Sequence, residues 1–155
     1  MRRIFLIGYG NPGRGDDGLG PAVAEAVEAW AVPGVTVESD FQLNVEDAYE
    51  LLNYDAAVFV DASVDGAEPF FYKQIGPEDP ASFSSHSVSP AGLLGLTRNL
   101  FQKDVQGFVL GIRGYEFEEF GAPIGPRASA NLKAALEFLE PRLRSGNLGG
   151  ADAGA

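Results

Sequence analysis

Short apolar runs alternate with stretches of helical spacing along the chain. The run at 3–9 is ended by glycines and predicts a buried parallel strand, and the apolar side chains that follow Pro21 recur at helical spacing. The same alternation continues downstream and predicts right-handed crossovers within a mostly parallel sheet. The predicted strands lie at residues 3–9, 35–41, 56–61, 70–75 and 107–112, and the predicted helices at 21–30, 45–52, 89–100 and 128–143.

The predicted elements make one α/β domain, residues 1–144, with a three-layer α/β/α arrangement and a twisted five-stranded sheet flanked by helices. The strand at 70–75 follows Pro69 and is ended by a Gly-Pro pair, so it is expected at an edge of the sheet. The Gly-rich and Ala-rich stretch at 145–155 predicts a flexible C-terminal tail.

Composition excludes several classes of protein. The chain of 155 residues is 45% hydrophobic and 21% charged, which is ordinary for a single globular domain. Its 22 acidic and 11 basic residues give a net charge of −11, so neither nucleic acid nor an anionic membrane surface is expected as a partner. The chain has no cysteine, so any metal must be held by oxygen and imidazole. With no apolar run long enough for a signal peptide or a membrane span, a cytoplasmic location is expected.

The loop after the first strand contains the chemically most informative residues. Its glycines at 8–13 match a dinucleotide-binding fingerprint, but Pro12 and two carboxylates precede the helix, where a nucleotide site would place helix amides against phosphate. Glycines permit left-handed turns, so the loop is better explained as a device that directs Asp17 over the strand ends. The alternative role for Asp16 or Asp17 is to be the N-cap of the helix that begins near Leu19 or to interact with the dipole of that helix.

Two more side chains are predicted to reach the same edge of the sheet. Asp61 follows a buried apolar strand, at the carboxyl edge where open α/β sheets bind ligands, although an acid that closes a turn is the alternative. His86 is the only histidine and lies in a loop before a helix; its alternative role is structural or merely exposed. Together with Asp17 they would form a three-ligand site with open positions for zinc or nickel, able to polarise a carbonyl or activate water.

These motifs resemble those of the nickel–iron hydrogenase maturation proteases, which remove a C-terminal peptide from the hydrogenase large subunit. The resemblance extends from Arg3 to about Phe120 and includes the late Gly-Ile-Arg-Gly-Tyr-Glu segment at 111–116. The residues that carry it are Gly8, Gly10, Asn11, Asp16, Asp17, Gly18 and Gly20 in the first loop, Asp61 after the third strand, and His86 before a helix.

The resemblance implies a phosphorylase/hydrolase-like fold and an aspartyl-type endopeptidase that activates a hydrogenase, expected to be a monomer. It implies that Asp17, Asp61 and His86 are both catalytic residues and metal ligands. The implied metal is nickel, supplied by a [NiFe]-hydrogenase large-subunit precursor, with the site empty or holding a surrogate divalent cation at rest. Asp16 is a candidate for orienting His86 or water, and Glu116 for contacting the precursor.

One segment departs from the family pattern. Many members have a Gly-rich, Thr-containing segment after the second strand, where this chain has Asp-Phe-Gln-Leu-Asn at 40–44. The difference suggests another class of hydrogenase substrate, with Gln42 and Glu46 as hypothetical precursor contacts.

Three alternative functions remain open from the sequence. A nucleotide-binding oxidoreductase depends on the glycine match alone. The Gly-Asn-Pro-Gly sequence at 10–13 is also similar to peptidyl-tRNA hydrolases, but those follow it with a histidine-bearing segment, and the net charge of this chain would repel transfer RNA. A non-enzymatic binding module requires the three candidate ligands to be coincidental.

Overall fold

The computed structural model describes residues 2–78 and 88–149. Strands and helices alternate through the first part of the chain, as the apolar pattern predicts. The strands are β1 (Ile4–Tyr9), β2 (Val35–Asp40), β3 (Ala56–Ser63), β4 (Phe70–Ile75) and β5 (Gln106–Arg113), and the helices are α1 (Leu19–Trp30), α2 (Asp47–Glu50), α3 (Pro90–Phe101) and α4 (Pro126–Ser145).

The five strands form one sheet in the order β2-β1-β3-β5-β4. All neighbouring pairs are parallel except β4 and β5, so the prediction of a mostly parallel sheet with the fourth strand at an edge is confirmed. From β1 the chain crosses to β2 on one side, and β3 then lies on the other side of β1. The loops after β1 and β3 therefore leave the sheet at a switch point, which is where open α/β sheets bind ligands.

Side chains alternate between two buried layers. Ile4 and Leu6 face the layer that contains α1 and α4, whereas Phe5 and Ile7 face the layer that contains α2 and α3. These strand residues are at most 1% exposed, and each such burial stabilises the fold by roughly 1.5–3 kcal/mol. In β3, Phe59 faces the α3 layer, so Asp61, two residues later, points to the same side.

The helix starts of the structure can be compared with those that the sequence predicted. Ser89 caps α3, because its hydroxyl accepts a hydrogen bond from the Gly92 amide at 3.0 Å, and Pro90 occupies the first turn, as predicted. The N-cap of α1 is Gly18, with no side-chain cap hydrogen bond, so neither loop aspartate is the N-cap of this helix. The second helix is shorter than predicted: α2 is a single turn that continues as a 3-10 turn at Leu51–Asn53. No helix within the described ranges is long and apolar enough to cross a membrane.

The chain beyond α4 packs on the domain. Leu148 is fully buried, and the Tyr72 hydroxyl donates a hydrogen bond of 2.8 Å to its carbonyl oxygen. Arg2 also donates to the carbonyl oxygen of Gly146 at 3.0 Å. The first residues after α4 therefore have fixed contacts with the domain, while residues 150–155 lie outside the described part of the chain and the flexible tail stays a prediction.

Candidate active site

Asp17 is held in place by the tight loop that follows β1. It lies in a 3-10 turn at Gly15–Gly18, and its carboxylate accepts a hydrogen bond of 2.8 Å from the Asn11 amide. Gly10 has a φ of 142°, and a Cβ there would collide with the carbonyl oxygen of Asp17. Glycine is therefore required at this position for the loop to fold back and present the Asp17 carboxylate at the edge of the sheet.

Asp61 lies beside Asp17 at the carboxyl end of β3. The strand runs to Ser63, two residues further than predicted, and the Asp61 carboxylate accepts a hydrogen bond of 2.8 Å from the Ala62 amide. The pKa of Asp61 is raised to about 6: burial is the largest cause, the negative charge of Asp17 also raises it, and the hydrogen bond from the Ala62 amide lowers it. The structure thus brings together two of the three predicted site residues.

Tyr9 is a third polar group at this position, and the sequence analysis missed it. It ends β1, and because Gly8 pairs with Val60, Tyr9 lies next to Asp61 across the two strands. Burial raises the pKa of the Tyr9 hydroxyl, and the charge of Asp61 adds to the effect, so the hydroxyl stays protonated at neutral pH. The sequence signal that could have identified Tyr9 was its position at the end of the first strand, since Asp61 lies near the end of the neighbouring strand.

A cavity of about 480 Å³ opens beside these side chains. Tyr9 and Asp61 line one side of it, and Glu78 and Ser89 line another. Glu78 is tied to α3, since its amide donates to the Ala91 carbonyl at 2.9 Å. The cavity is completed by Ala62, Ser63, Val64, Asp65, Phe71, Lys73, Ile75, Pro90, Ala91, Val109 and Gly111.

His86, the third predicted ligand, falls in the segment 79–87 and so lies outside the described residues. Glu78, directly before this segment, and Ser89, two residues after its end, both line the cavity that contains Asp61. Within residues 2–78 and 88–149, no three His, Asp or Glu side chains are grouped closely enough to hold a metal ion. The three-ligand site therefore stays a prediction.

Asp16 has a different role from the one expected of it. It is 2% exposed, and its carboxylate accepts hydrogen bonds from the amides of Tyr115, Glu116 and Gly125 at 2.7, 3.0 and 2.9 Å. A carboxylate surrounded by backbone donors in this way fixes the loop after β1 to the loop after β5. The expectation that it orients His86 or water is therefore replaced by a structural role.

The glycine-rich loop does not present free amides to a phosphate. The Asn11 amide already donates to Asp17, and the Gly13 amide donates to the Asn11 side chain at 2.8 Å. Pro12, between them, has no amide proton. The loop has satisfied its own donors with a carboxylate and a carboxamide, which argues against the nucleotide-binding alternative.

The protein is thus a three-layer α/β protein, and its candidate site is the acidic pair at the switch point of the sheet. A scan against protein-family models and a search of the curated proteins gave no match. Solved structures share the fold. The hydrogenase maturating endopeptidase HybD from E. coli is 22% identical, with 97% of this chain and 98% of that chain covered and a TM-score of 0.73.

Two more solved structures show the same relationship. The [NiFe] hydrogenase maturation protease HycI from Thermococcus kodakarensis is 21% identical over 93% of both chains, with a TM-score of 0.67. The endopeptidase HycI from Escherichia coli is 26% identical, over 92% of this chain and 90% of that chain, with a TM-score of 0.62. The chain therefore has the fold of the hydrogenase maturation proteases over almost its whole length, and the predicted resemblance is confirmed at that level.

Proposed function

We propose that this protein is an endopeptidase that removes the C-terminal extension of a [NiFe]-hydrogenase large-subunit precursor after nickel has been inserted. The observation that carries the proposal is the pairing of Asp17 and Asp61 at the switch point of a sheet whose fold is that of hydrogenase maturation proteases. Neither a nucleotide site nor a merely solvating surface accounts for two like charges that are held together and partly buried.

The donor atoms at the site suit a divalent cation. Burial, and after it the negative charge of Asp17, raises the pKa of Asp61, and a cation between the two carboxylates would remove the repulsion that causes part of this shift. Carboxylate oxygens together with one imidazole form a ligand set that nickel accepts. We propose Asp17, Asp61 and His86 as the ligands, with nickel brought by the precursor and a surrogate divalent cation able to take its place at rest. The metal supplies Lewis-acid polarisation of the scissile carbonyl.

The residues of the chain then have distinct tasks. Asp17 and Asp61 hold the nickel centre of the precursor at the edge of the sheet, and this places the scissile peptide next to the cavity for attack by water. We propose Tyr9, which stays protonated beside Asp61 and lines the same cavity, as a hydrogen-bond donor to the bound precursor. No covalent intermediate with the protein is needed.

The decisive experiment mixes the purified protein with nickel-loaded and nickel-free precursor and follows the released C-terminal peptide by mass spectrometry. Only the nickel-loaded precursor should be cut, and Asp17→Asn, Asp61→Asn and His86→Ala should each abolish cleavage. Asp104→Asn, which removes an exposed carboxylate before β5 at the opposite edge of the sheet, is the matched control and should cut normally. Equal cleavage of nickel-free precursor would disprove the role of nickel, and full activity of Asp17→Asn would disprove the site.

The proposal includes a monomeric enzyme that acts in the cytoplasm. A net charge of −11 disfavours association between copies, and the lack of cysteine suits a reducing compartment. Sedimentation velocity at physiological salt should give a single species with the mass of one chain.

A further inference from the structure

The outer edge of β2 is an unpaired sheet edge. β2 is the terminal strand of the sheet and pairs with β1 on its inner side, and no strand from residues 2–78 or 88–149 pairs with its outer side. The Ile4 amide of β1 donates to the Gly34 carbonyl oxygen at 2.9 Å, and the Gly10 amide, just after β1, donates to the Asp40 carbonyl oxygen at 3.0 Å. The backbone groups of Gly34 and Asp40 therefore face β1. Because alternate residues of a parallel strand bond to opposite neighbours, the backbone groups of Val37 and Ser39 face outward.

A groove lies along this edge. Its cavity of about 510 Å³ is bounded by the β2 residues Val37 and Ser39 on one side and by α1 on the other. Apolar groups form much of the wall, and two acidic residues of α1, Glu25 and Glu28, line it. Glu38 of β2 also lines it, but Val37 packs toward the α1 layer, so the Glu38 side chain points to the opposite face of the sheet. Pro12, Gly18, Pro21, Ala22, Ala24 and Ile124 complete the lining, and none of the described lining residues is Lys or Arg.

The groove leads to the candidate active site. Pro12 and Gly18 line it, and both belong to the loop that holds Asp17. A smaller cavity of about 280 Å³ adjoins it, lined by Gly10, Pro12, Ser39, Asp40 and Phe41, and the Phe41 side chain is 67% exposed. A chain lying along β2 would therefore pass an exposed aromatic side chain and reach the loop that holds Asp17.

Negative charge is concentrated along the same strand. Burial raises the pKa of Glu38, and the charges of Glu50, Asp47 and Asp40 raise it further. A second copy of this chain would bring an identical acidic edge against this one, so a self-pairing through β2 is disfavoured. The charge pattern instead favours a partner segment with basic side chains.

We propose that the outer edge of β2 binds an extended, basic segment of the precursor as an added strand, with backbone hydrogen bonds to Val37 and Ser39. The inference rests on the proposed function and extends it to the substrate contact. The C-terminal extension follows the scissile bond, which the proposed function places at the carboxyl edge of the sheet, where β2 also ends. The extension therefore runs antiparallel to β2, away from Asp17, with its basic side chains over Glu25 and Glu28.

A binding assay with a defined probe tests the charge preference. The probe is a fluorescent synthetic peptide that alternates valine and lysine, compared with one that has glutamate in place of lysine. The lysine peptide should bind at least about tenfold more tightly, and the difference should shrink as salt is raised. Glu25→Gln/Glu28→Gln should weaken the lysine peptide several-fold, whereas the control pair Glu118→Gln/Glu137→Gln, outside the groove, should not. Equal binding of both peptides would overturn the inference.

A backbone test separates strand addition from surface attraction. Ser39→Pro removes one outward amide but leaves the bonds to β1 intact, as proline is tolerated at a sheet edge, and Ser39→Ala keeps that amide. Peptide binding should fall at least about tenfold in Ser39→Pro and stay unchanged in Ser39→Ala. Should Ser39→Pro fail to fold, hydrogen exchange on the wild-type protein decides: the Val37 and Ser39 amides must become protected when the lysine peptide is added. Unprotected amides would contradict the inference.

Cleavage of the nickel-loaded precursor distinguishes this inference from the proposed function. If wild-type protein cuts the precursor and Ser39→Pro raises the KM at least about tenfold with little change in kcat, both stand. If Ser39→Pro cuts with the wild-type KM, the strand-addition inference fails and the protease function stands. If the wild-type protein binds the lysine peptide at β2 but cuts no precursor, the proposed function fails and only the peptide-binding edge remains.

Discussion

The Asp17 carboxylate lies close enough to Asp61 for its negative charge to contribute to the raised pKa of Asp61, which is about 6. Burial of Asp61 is the larger cause of this shift. The two residues come from the loop after β1 and from the end of β3, and they meet because both elements leave the sheet at its switch point. In a metal-free protein this pairing opposes folding, so the site is maintained for its chemistry and not for stability.

The first prediction concerns pH and stability. The Asp61 carboxyl has a raised pKa in the folded protein, so its contribution to stability is fully present below its ordinary pKa of 3.8 and is lost as pH rises through about 6. Asp61→Asn stays neutral and keeps the oxygen that accepts from Ala62. In the presence of a chelator this variant should be more stable than wild type at pH 7 by about 2 kcal/mol, allowing for partial exposure.

Urea unfolding at pH 4 and pH 7 measures this difference. The gap between Asp61→Asn and wild type should be small at pH 4 and should open between pH 4 and pH 7. A variant that is less stable than wild type at both pH values would show that the ionised carboxylate stabilises the fold.

The second prediction concerns Asp16. Asp16→Asn replaces a carboxylate that accepts from three backbone amides with a side chain that has only one acceptor oxygen, so it leaves buried donors unsatisfied. The free energy of unfolding should fall by about 3 kcal/mol in thermal or urea unfolding. Asp65→Asn, at an exposed aspartate, is the control and should change stability by less than about 0.5 kcal/mol. An unchanged stability of Asp16→Asn would refute the role assigned to it.

The third prediction separates backbone strain from steric collision in the first loop. Gly10 and Gly121 both have positive φ angles, but only at Gly10 would an added Cβ collide, with the Asp17 carbonyl oxygen; at Gly121 it meets nothing within 4 Å. Gly121→Ala should therefore cost only about 1–2 kcal/mol. Gly10→Ala should cost more and should also abolish precursor cleavage, because Asp17 is displaced. Normal cleavage by a folded Gly10→Ala would show that the loop position is not critical.

The fourth prediction compares two tyrosines whose hydroxyl pKa values are both raised by burial, Tyr9 and Tyr72. Tyr9 lies beside Asp61, whereas Tyr72 donates to the Leu148 carbonyl. Tyr9→Phe should lower the cleavage rate by about tenfold, the effect of one hydrogen bond of about 1.4 kcal/mol, with little loss of stability. Tyr72→Phe should lose about 1 kcal/mol of stability and cut normally. The reverse pattern would exclude Tyr9 from the site.

Most of the fold follows from local patterns in the sequence. The five strands and the cap of α3 are predictable because alternation of apolar residues, Ser-Pro helix starts and glycine-bounded runs act over a few residues. The convergence of Asp17 and Asp61 is predictable for a topological reason, since parallel strands bring their carboxyl ends to one edge. The sequence alone therefore determined the layers, the sheet and the acidic edge.

Tertiary structure alone decided the contacts that depend on how layers pack. Asp16 finds its partners 99, 100 and 109 residues away, and the burial of Leu148 depends on Tyr72 in an edge strand. The place of Tyr9 beside Asp61 likewise depends on the register of β1 and β3. No periodicity encodes such distances, because they are set by the packing of helices against a twisted sheet and not by the residues next to them in the chain.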